Sequence, residues 1–142
     1  MHSFNLTGKR IAITGGAGVL GASLAKGYAD AGATVAILDL AVDKAQALAT
    51  ELGTNHIGAK INVLDTDSIQ TSLEACIKGM GGVDILVNGA GGNHPKATTG
   101  PDMTFFDIPK DSLEFVSGLN LSGTILPSQV FGRHLVEAKQ GN

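Results

Sequence analysis

Gly16, Gly18 and Gly21 stand at the spacing G-x-G-x-x-G directly after an apolar run, residues 11–13, in a chain of 142 residues. Glycines in that pattern serve three needs: a tight turn, close approach of backbone N–H groups to an anion, and close packing of a helix on a strand. The chemistry they permit is the binding of a phosphate or pyrophosphate at the positive end of the following helix. With 20 glycines in the chain, the spacing alone arises easily by chance. Asp39 supplies the second part of the pattern. It closes another apolar run, residues 35–38, at the distance where a carboxylate accepts hydrogen bonds from an adenosine ribose. A dinucleotide site is therefore expected here.

These residues need a strand, a turn and a helix in that order, and the chain repeats the unit. Residues 10–14 read as a first strand, followed by a helix with Leu20, Leu24, Gly27, Tyr28 and Ala31 on its apolar face and Gly32 at its end. Residues 34–39 read as a second, nearly all-apolar strand, as expected when helices cover both sheet faces. A helix capped by Asp43 carries Ala45, Leu48, Ala49 and Leu52 to Gly53. Residues 56–63 give a weaker third strand, and Thr66 or Asp67 caps a helix with Ile69, Leu73, Cys76, Ile77 and Met80 inward. Residues 83–87 form the fourth strand and run into a second glycine-rich end, residues 88–93. The expected class is α/β, a Rossmann-type doubly wound parallel sheet in the order 3-2-1-4, ending after the fourth strand and its helix. In that order the two glycine-rich ends meet at one crevice.

Residues 93–109 form a loop punctuated by Pro95, Gly100, Pro101 and Pro109. It exceeds the roughly 12–15 residues of most connections, so a functional lid or a mobile segment is expected, and His94 lies where it could touch a substrate. A last helix runs from Asp111 through Leu113, Val116, Asn120, Leu121 and Ile125, with an interruption near Gly123 caused by Pro127. Charged residues make up 16% and hydrophobic ones 43%, which excludes a disordered chain. The net charge of −3 and the absence of a basic run give no reason to expect nucleic acid or a membrane surface as partner. No stretch has the pattern of a signal peptide or a membrane span, so a cytoplasmic location and a single domain over residues 1–142 are expected. Cys76 is the only cysteine and reads as a buried, inert thiol.

Taken together, Phe4-x-Leu6-x-Gly8-Lys9, Thr14-Gly15 with Gly21, Asp39, Asn62-Val63, Asn88-Gly89-Ala90-Gly91 and Asn120-x-x-Gly123 resemble the short-chain dehydrogenase/reductase family along the whole chain. The wording of residues 15–21 and 91–99 is similar to the D-mannonate (fructuronate) oxidoreductase branch. The resemblance implies that Gly15, Gly16, Gly18, Val19, Leu20 and Gly21 cradle a pyrophosphate. Asp39 and Leu40 would lie at the adenosine ribose, Asn62 and Val63 at the adenine, and Asn88, Gly89, Ala90 and Gly91 at the nicotinamide side. Asn120 would support a proton relay. It implies NAD rather than NADP, because Asp39 repels a 2′-phosphate, and a small-molecule substrate such as a sugar acid. Val19 stands where the family usually has glycine, and Asn62 where it usually has aspartate.

The family's serine and its Tyr-x-x-x-Lys motif follow the helix that holds Asn120. Here the sole tyrosine is Tyr28, with Gly32 four positions on. The chain is therefore expected to be the cofactor half of an oxidoreductase that moves a hydride between NAD and a hydroxy or keto compound, inactive alone. The alternative is a naturally short, non-catalytic NAD-binding or interaction module. A doubly wound module for a different nucleotide, such as a flavin, is disfavoured by Asp39 and the glycine spacing. A fourth strand left as an apolar edge is expected to make the chain marginal or drive it to pair as a homo-oligomer.

Overall fold

The computed structural model describes residues 4–139, so the first and last three residues read above lie outside it. Four parallel strands, β1 (Arg10–Thr14), β2 (Thr34–Asp39), β3 (Ile57–Lys60) and β4 (Ile85–Asn88), pair in the order β3-β2-β1-β4. Thr14 stands opposite Leu38 on one side and Asn88 on the other, so β1, β2 and β4 end level and both glycine-rich stretches leave the sheet at one end.

Alternation along the strands sorts the core into two layers. Ile11, Ile13, Val35 and Ile37 face α1 (Val19–Asp30) and α2 (Val42–Leu52) through Ala25, Ala45, Leu48 and Ala49. Ala12, Ala36 and Leu38 face the other way, toward Ile69, Leu73 and Cys76 of α3 (Thr66–Met80) and Phe131 of α5 (Gly123–Glu137). Covering both faces explains why β1 and β2 are almost wholly apolar.

Several local expectations need correction. In α1 the fully buried residues are Gly21 and Ala25, while Leu20 is 79% and Leu24 40% exposed. Small residues let the helix lie close on the sheet, and this turns its leucines outward. The residue before α2 is Ala41, and Asp43 sits inside the first turn without capping it. The cap of α3 is Asp65, one residue before the expected pair, accepting from the N–H groups of Asp67 and Ser68. Ile77 is exposed rather than inward. β3 is shorter than residues 56–63, and β4 begins at Ile85 because Asp84 turns its side chain to the start of β1.

At that N-terminal end of the sheet, side chains terminate the strands. Asp84 Oδ2 accepts from both the backbone N–H and Nε of Arg10, and its Oδ1 lies 2.7 Å from the guanidinium. The guanidinium holds the Asp84 carboxyl below the usual carboxylate range. His56 Nδ1 accepts from the Val35 N–H at 3.0 Å, and His134 Nε2 from the Val83 N–H at 3.3 Å.

After β4 the loop makes two short turns, Pro95–Ala97 and Phe105–Asp107, before α4 (Lys110–Ser117). A widened helical turn, Gly118–Ser122, joins α4 to α5. It lies near Gly123, where the interruption is expected, while α5 continues through Pro127. Leu113, Phe115, Leu121, Ile125 and Val136 stay exposed along these helices, and β4 is an open edge among the described residues.

Burial lowers the pKa of His56, and its bond to Val35 needs the neutral ring. The unfolded chain takes up its proton near the ordinary value of about 6.5. The stability His56 contributes is thus complete above that pH and is lost as pH falls from there through the lowered folded-state value. Urea unfolding between about pH 7.5 and pH 5 should show a larger fall in midpoint for the native chain than for His56→Gln, which keeps an acceptor that does not titrate.

Candidate functional site

The first glycine loop is shaped by contacts that leave no room for a side chain. Gly15 has φ +65°, and a Cβ there would lie 2.8 Å from the Ala90 Cα and the Gly89 oxygen. A Cβ on Gly21 would run into the Gly15 carbonyl oxygen, and one on Gly18 would sit 3.3 Å from the same atom. The loop thus folds back on itself and presses on the loop that follows β4. Thr14, fully buried at the end of β1, fastens the two together: its Oγ1 accepts from the N–H groups of Gly89 at 3.2 Å and Ala90 at 3.1 Å.

α1 then begins at Val19 with Gly18 before it, no side-chain cap and no acidic residue in its first turn. Its first N–H groups therefore keep their hydrogen-bonding capacity for a ligand. Asp39, at the end of β2, holds the loop from the other side, accepting from the Ala17 N–H through Oδ2 and the Ala41 N–H through Oδ1, each at 3.0 Å.

These parts border a crevice of about 530 Å³. Of the residues expected to meet a cofactor, Gly15, Gly18, Val19, Leu20, Gly21, Asp39, Leu40, Asn62, Val63, Gly89, Ala90 and Gly91 line it together. Asp39 is the only charged side chain on that lining among the described residues. Val19 is 88% exposed at the rim, so its branched side chain clears the loop backbone. Asn62 is turned inward on its own segment, with its Oδ1 accepting from the Leu64 N–H and its backbone N–H donating to Ser68 Oγ.

Other expected residues stand behind the crevice. Gly16 packs the loop on β2, where a Cβ would be 2.9 Å from Ile37 Cγ2 and from the Ile13 oxygen. Asn88 donates to Ser128 Oγ at 3.0 Å, and its buried Oδ1 has no partner among the described residues. Asn120 spends its carboxamide on backbone: Nδ2 donates to the Gly92 oxygen at 2.7 Å and the Val116 oxygen at 2.8 Å, and Oδ1 accepts from the Gly92 N–H. It pins the second glycine loop to the widened helical turn. His94 lies beyond Phe115, their rings edge to face with centroids 5.4 Å apart.

Sequence reasoning missed Ile61, Leu64, Phe115 and Leu119, which line the crevice, and gave Thr14 a place in a motif without a role for its hydroxyl. Phe115 and Leu119 are four apart on the helical segment after the loop, a spacing that reads equally well as core packing. Cys76 is buried, and desolvation pushes its thiol up to about 12, which disfavours the thiolate. A larger hollow, about 840 Å³, lies on the outer side of α1 among residues such as Phe4, Leu6, Leu24 and Tyr28. It is bordered mostly by apolar side chains and contains neither glycine loop. Among the described residues no cluster of His, Cys, Asp and Glu is placed to hold a metal, and no helix is long and apolar enough to cross a membrane.

Residues 9–142 match the short chain dehydrogenase family. An uncharacterized oxidoreductase of Haemophilus influenzae is 41% identical across 96% of this chain and 52% of its own length. D-threitol dehydrogenase of Mycolicibacterium smegmatis is 36% identical across 97% of this chain and 52% of its own. A crystal structure from Haemophilus, provisionally named a D-mannonate oxidoreductase and solved with bound NAD, superposes with TM-score 0.80 at 39% identity. It is covered over 51% of its chain, against 92% of this one. The chain spans about half the length of the curated relatives it matches.

The Thr14 hydroxyl gives the crevice a direct test. Thr14→Val keeps the shape but removes the acceptor shared by the part-buried N–H groups of Gly89 and Ala90, at a cost of about 1 kcal/mol, read as a lower urea midpoint. Thr14→Ser should keep most of the native value.

Proposed function

The chain belongs to the short chain dehydrogenase family, and from that premise we propose that residues 1–142 form one dinucleotide-binding domain of an oxidoreductase. In this reading it holds NAD in preference to NADP and serves a sugar acid or a similar hydroxy or keto compound. The observation that carries the reading is the uncapped start of α1 behind a loop in which Gly15 and Gly21 leave no space for a Cβ and Gly18 leaves little. Backbone N–H groups are thereby offered to a pyrophosphate at the positive end of a helix.

The remaining roles follow the lining. Asp39 accepts the hydroxyls of the adenosine ribose on lone pairs not used by Ala17 and Ala41, and its charge repels a 2′-phosphate. Leu40 lies beside Asp39 at the ribose, and Asn62 and Val63 border the adenine. Gly89, Ala90 and Gly91 lie on the nicotinamide side, with Asn88 and Asn120 holding that loop from behind. When bound, a nicotinamide supplies hydride transfer, and the chain supplies grip and orientation. The sugar-acid class draws on the name of the NAD-bound structural relative. The homo-oligomer of this reading draws on the exposed apolar side chains of α4 and α5 among the described residues, and sedimentation would register it as a mass above 14.4 kDa.

Titration of the chain with NADH and NADPH, followed by nicotinamide fluorescence, tests the reading. NADH should bind at least roughly tenfold more tightly, the scale of one charge contact, and Asp39→Ala should remove most of that preference. Equal affinity for the two cofactors would overturn the NAD preference, and no binding of either would overturn the site.

A further inference from the structure

Beside the crevice lies a second, smaller hollow of about 300 Å³, lined by His94, Lys96, Asp111, Ser112 and Phe115. Phe115 also lines the crevice, so one aromatic side chain forms the wall between the two spaces. The segment carrying His94 and Lys96 is built rather than slack. Asn93 Nδ2 donates to Thr98 Oγ1 at 2.7 Å, that hydroxyl donates to the His94 oxygen, and the Ala97 N–H donates to the same oxygen at 2.8 Å. Asn120 ties the preceding Gly92 to the widened turn between α4 and α5.

These bonds settle what the hollow offers. His94 Nδ1 accepts from the Lys96 N–H at 3.2 Å, so a neutral ring carries its proton on Nε2 and presents it as a donor. Lys96 has no ion-pair partner within 4 Å among the described residues, whereas nearby Lys110 is paired with Glu114 at 3.2 Å. On the other side, Asp111 Oδ1 takes the Ser112 N–H and hydroxyl, and Oδ2 is left as an acceptor without a partner among the described residues. One cation, one neutral donor and one carboxylate thus share a space of that size. This is the complement of an anion that also carries hydroxyl groups.

We propose that this hollow receives the carboxylate end of an open-chain hydroxy acid, with Lys96 and His94 Nε2–H taking the carboxylate and Asp111 a neighbouring hydroxyl. The proposal rests on the sugar-acid reading and deepens it. It names the residues that would separate an acid from the neutral polyol of the same length. Lys96 is the discriminating group, because a polyol offers its ammonium only neutral oxygens.

The test uses D-gluconate and its neutral counterpart D-glucitol as probes, with the backbone amide resonances of His94, Lys96, Asp111 and Ser112 as the readout. D-gluconate should shift these resonances and bind at least roughly tenfold more tightly than D-glucitol, the scale of one charge-assisted contact. Lys96→Met should remove that difference, and Lys96→Arg should restore it. Neither substitution should change NADH affinity, since Lys96 is outside the crevice. Equal response to the two probes, or none, overturns the subsite. Because the resonances report on the hollow directly, a failure of NADH to bind would count against the cofactor reading alone.

Discussion

The structure depends on how near two backbones come at the carboxyl ends of β1 and β4. Gly15 and Ala90 approach so closely that a Cβ would lie 2.8 Å from the Ala90 Cα, and the buried Thr14 hydroxyl accepts from two N–H groups of the facing loop. The parallel register brings both strand ends level, and that placement lets one hydroxyl serve both loops. If the approach were looser, α1 would not start beside the second loop, and the uncapped N–H groups would open to solvent instead of a crevice.

The opposite end of the sheet obeys a different rule. There the strands begin against side chains: Asp84 for β1, His56 for β2, and His134 at Val83 just before β4. Each takes a backbone N–H that a parallel sheet leaves unpaired at its start, where burial would make an unmet donor costly. Side-chain acceptors thus secure the strand starts at one end, while at the other Thr14, Asp39 and Asn120 fix the loops and the first N–H groups of α1 stay uncapped. The cores on the two faces connect the ends, with Ile11 and Ile13 on one side and Ala12 on the other.

Much of this was legible in the residues. The alternation of strands and helices follows from the apolar runs, and the glycine spacing with Asp39 selects the order in which residues 15–21 converge with residues 89–91. What was not legible came from phase and from reach. The leucines of α1 have helical spacing, yet the helix turns its alanines inward, since a small face packs closer than a large one. Capping was misplaced by one residue at Asp65 because Thr66 and Asp67 are chemically eligible too. Thr14 looked like the last residue of a strand, and nothing in its neighbours shows that its hydroxyl crosses to the next loop. The resemblance singles out Asn120, but its hold on Gly92 joins residues 28 apart in the chain, which no local pattern reveals.

A crevice made from absent side chains has an unusual mutational signature. Scanning by truncation to alanine asks what each side chain contributes, and at Gly15, Gly18, Gly21, Gly89 and Gly91 there is none to remove. The informative experiment there is addition, since a single methyl group meets backbone at several of these positions. Natural variation should be similarly lopsided. Drift in the rim residues Val19 and Leu20 costs little, whereas the loop floor tolerates almost no enlargement. The wall formed by Phe115 and Leu119 consists of side chains, so it can change without disturbing the backbone cradle.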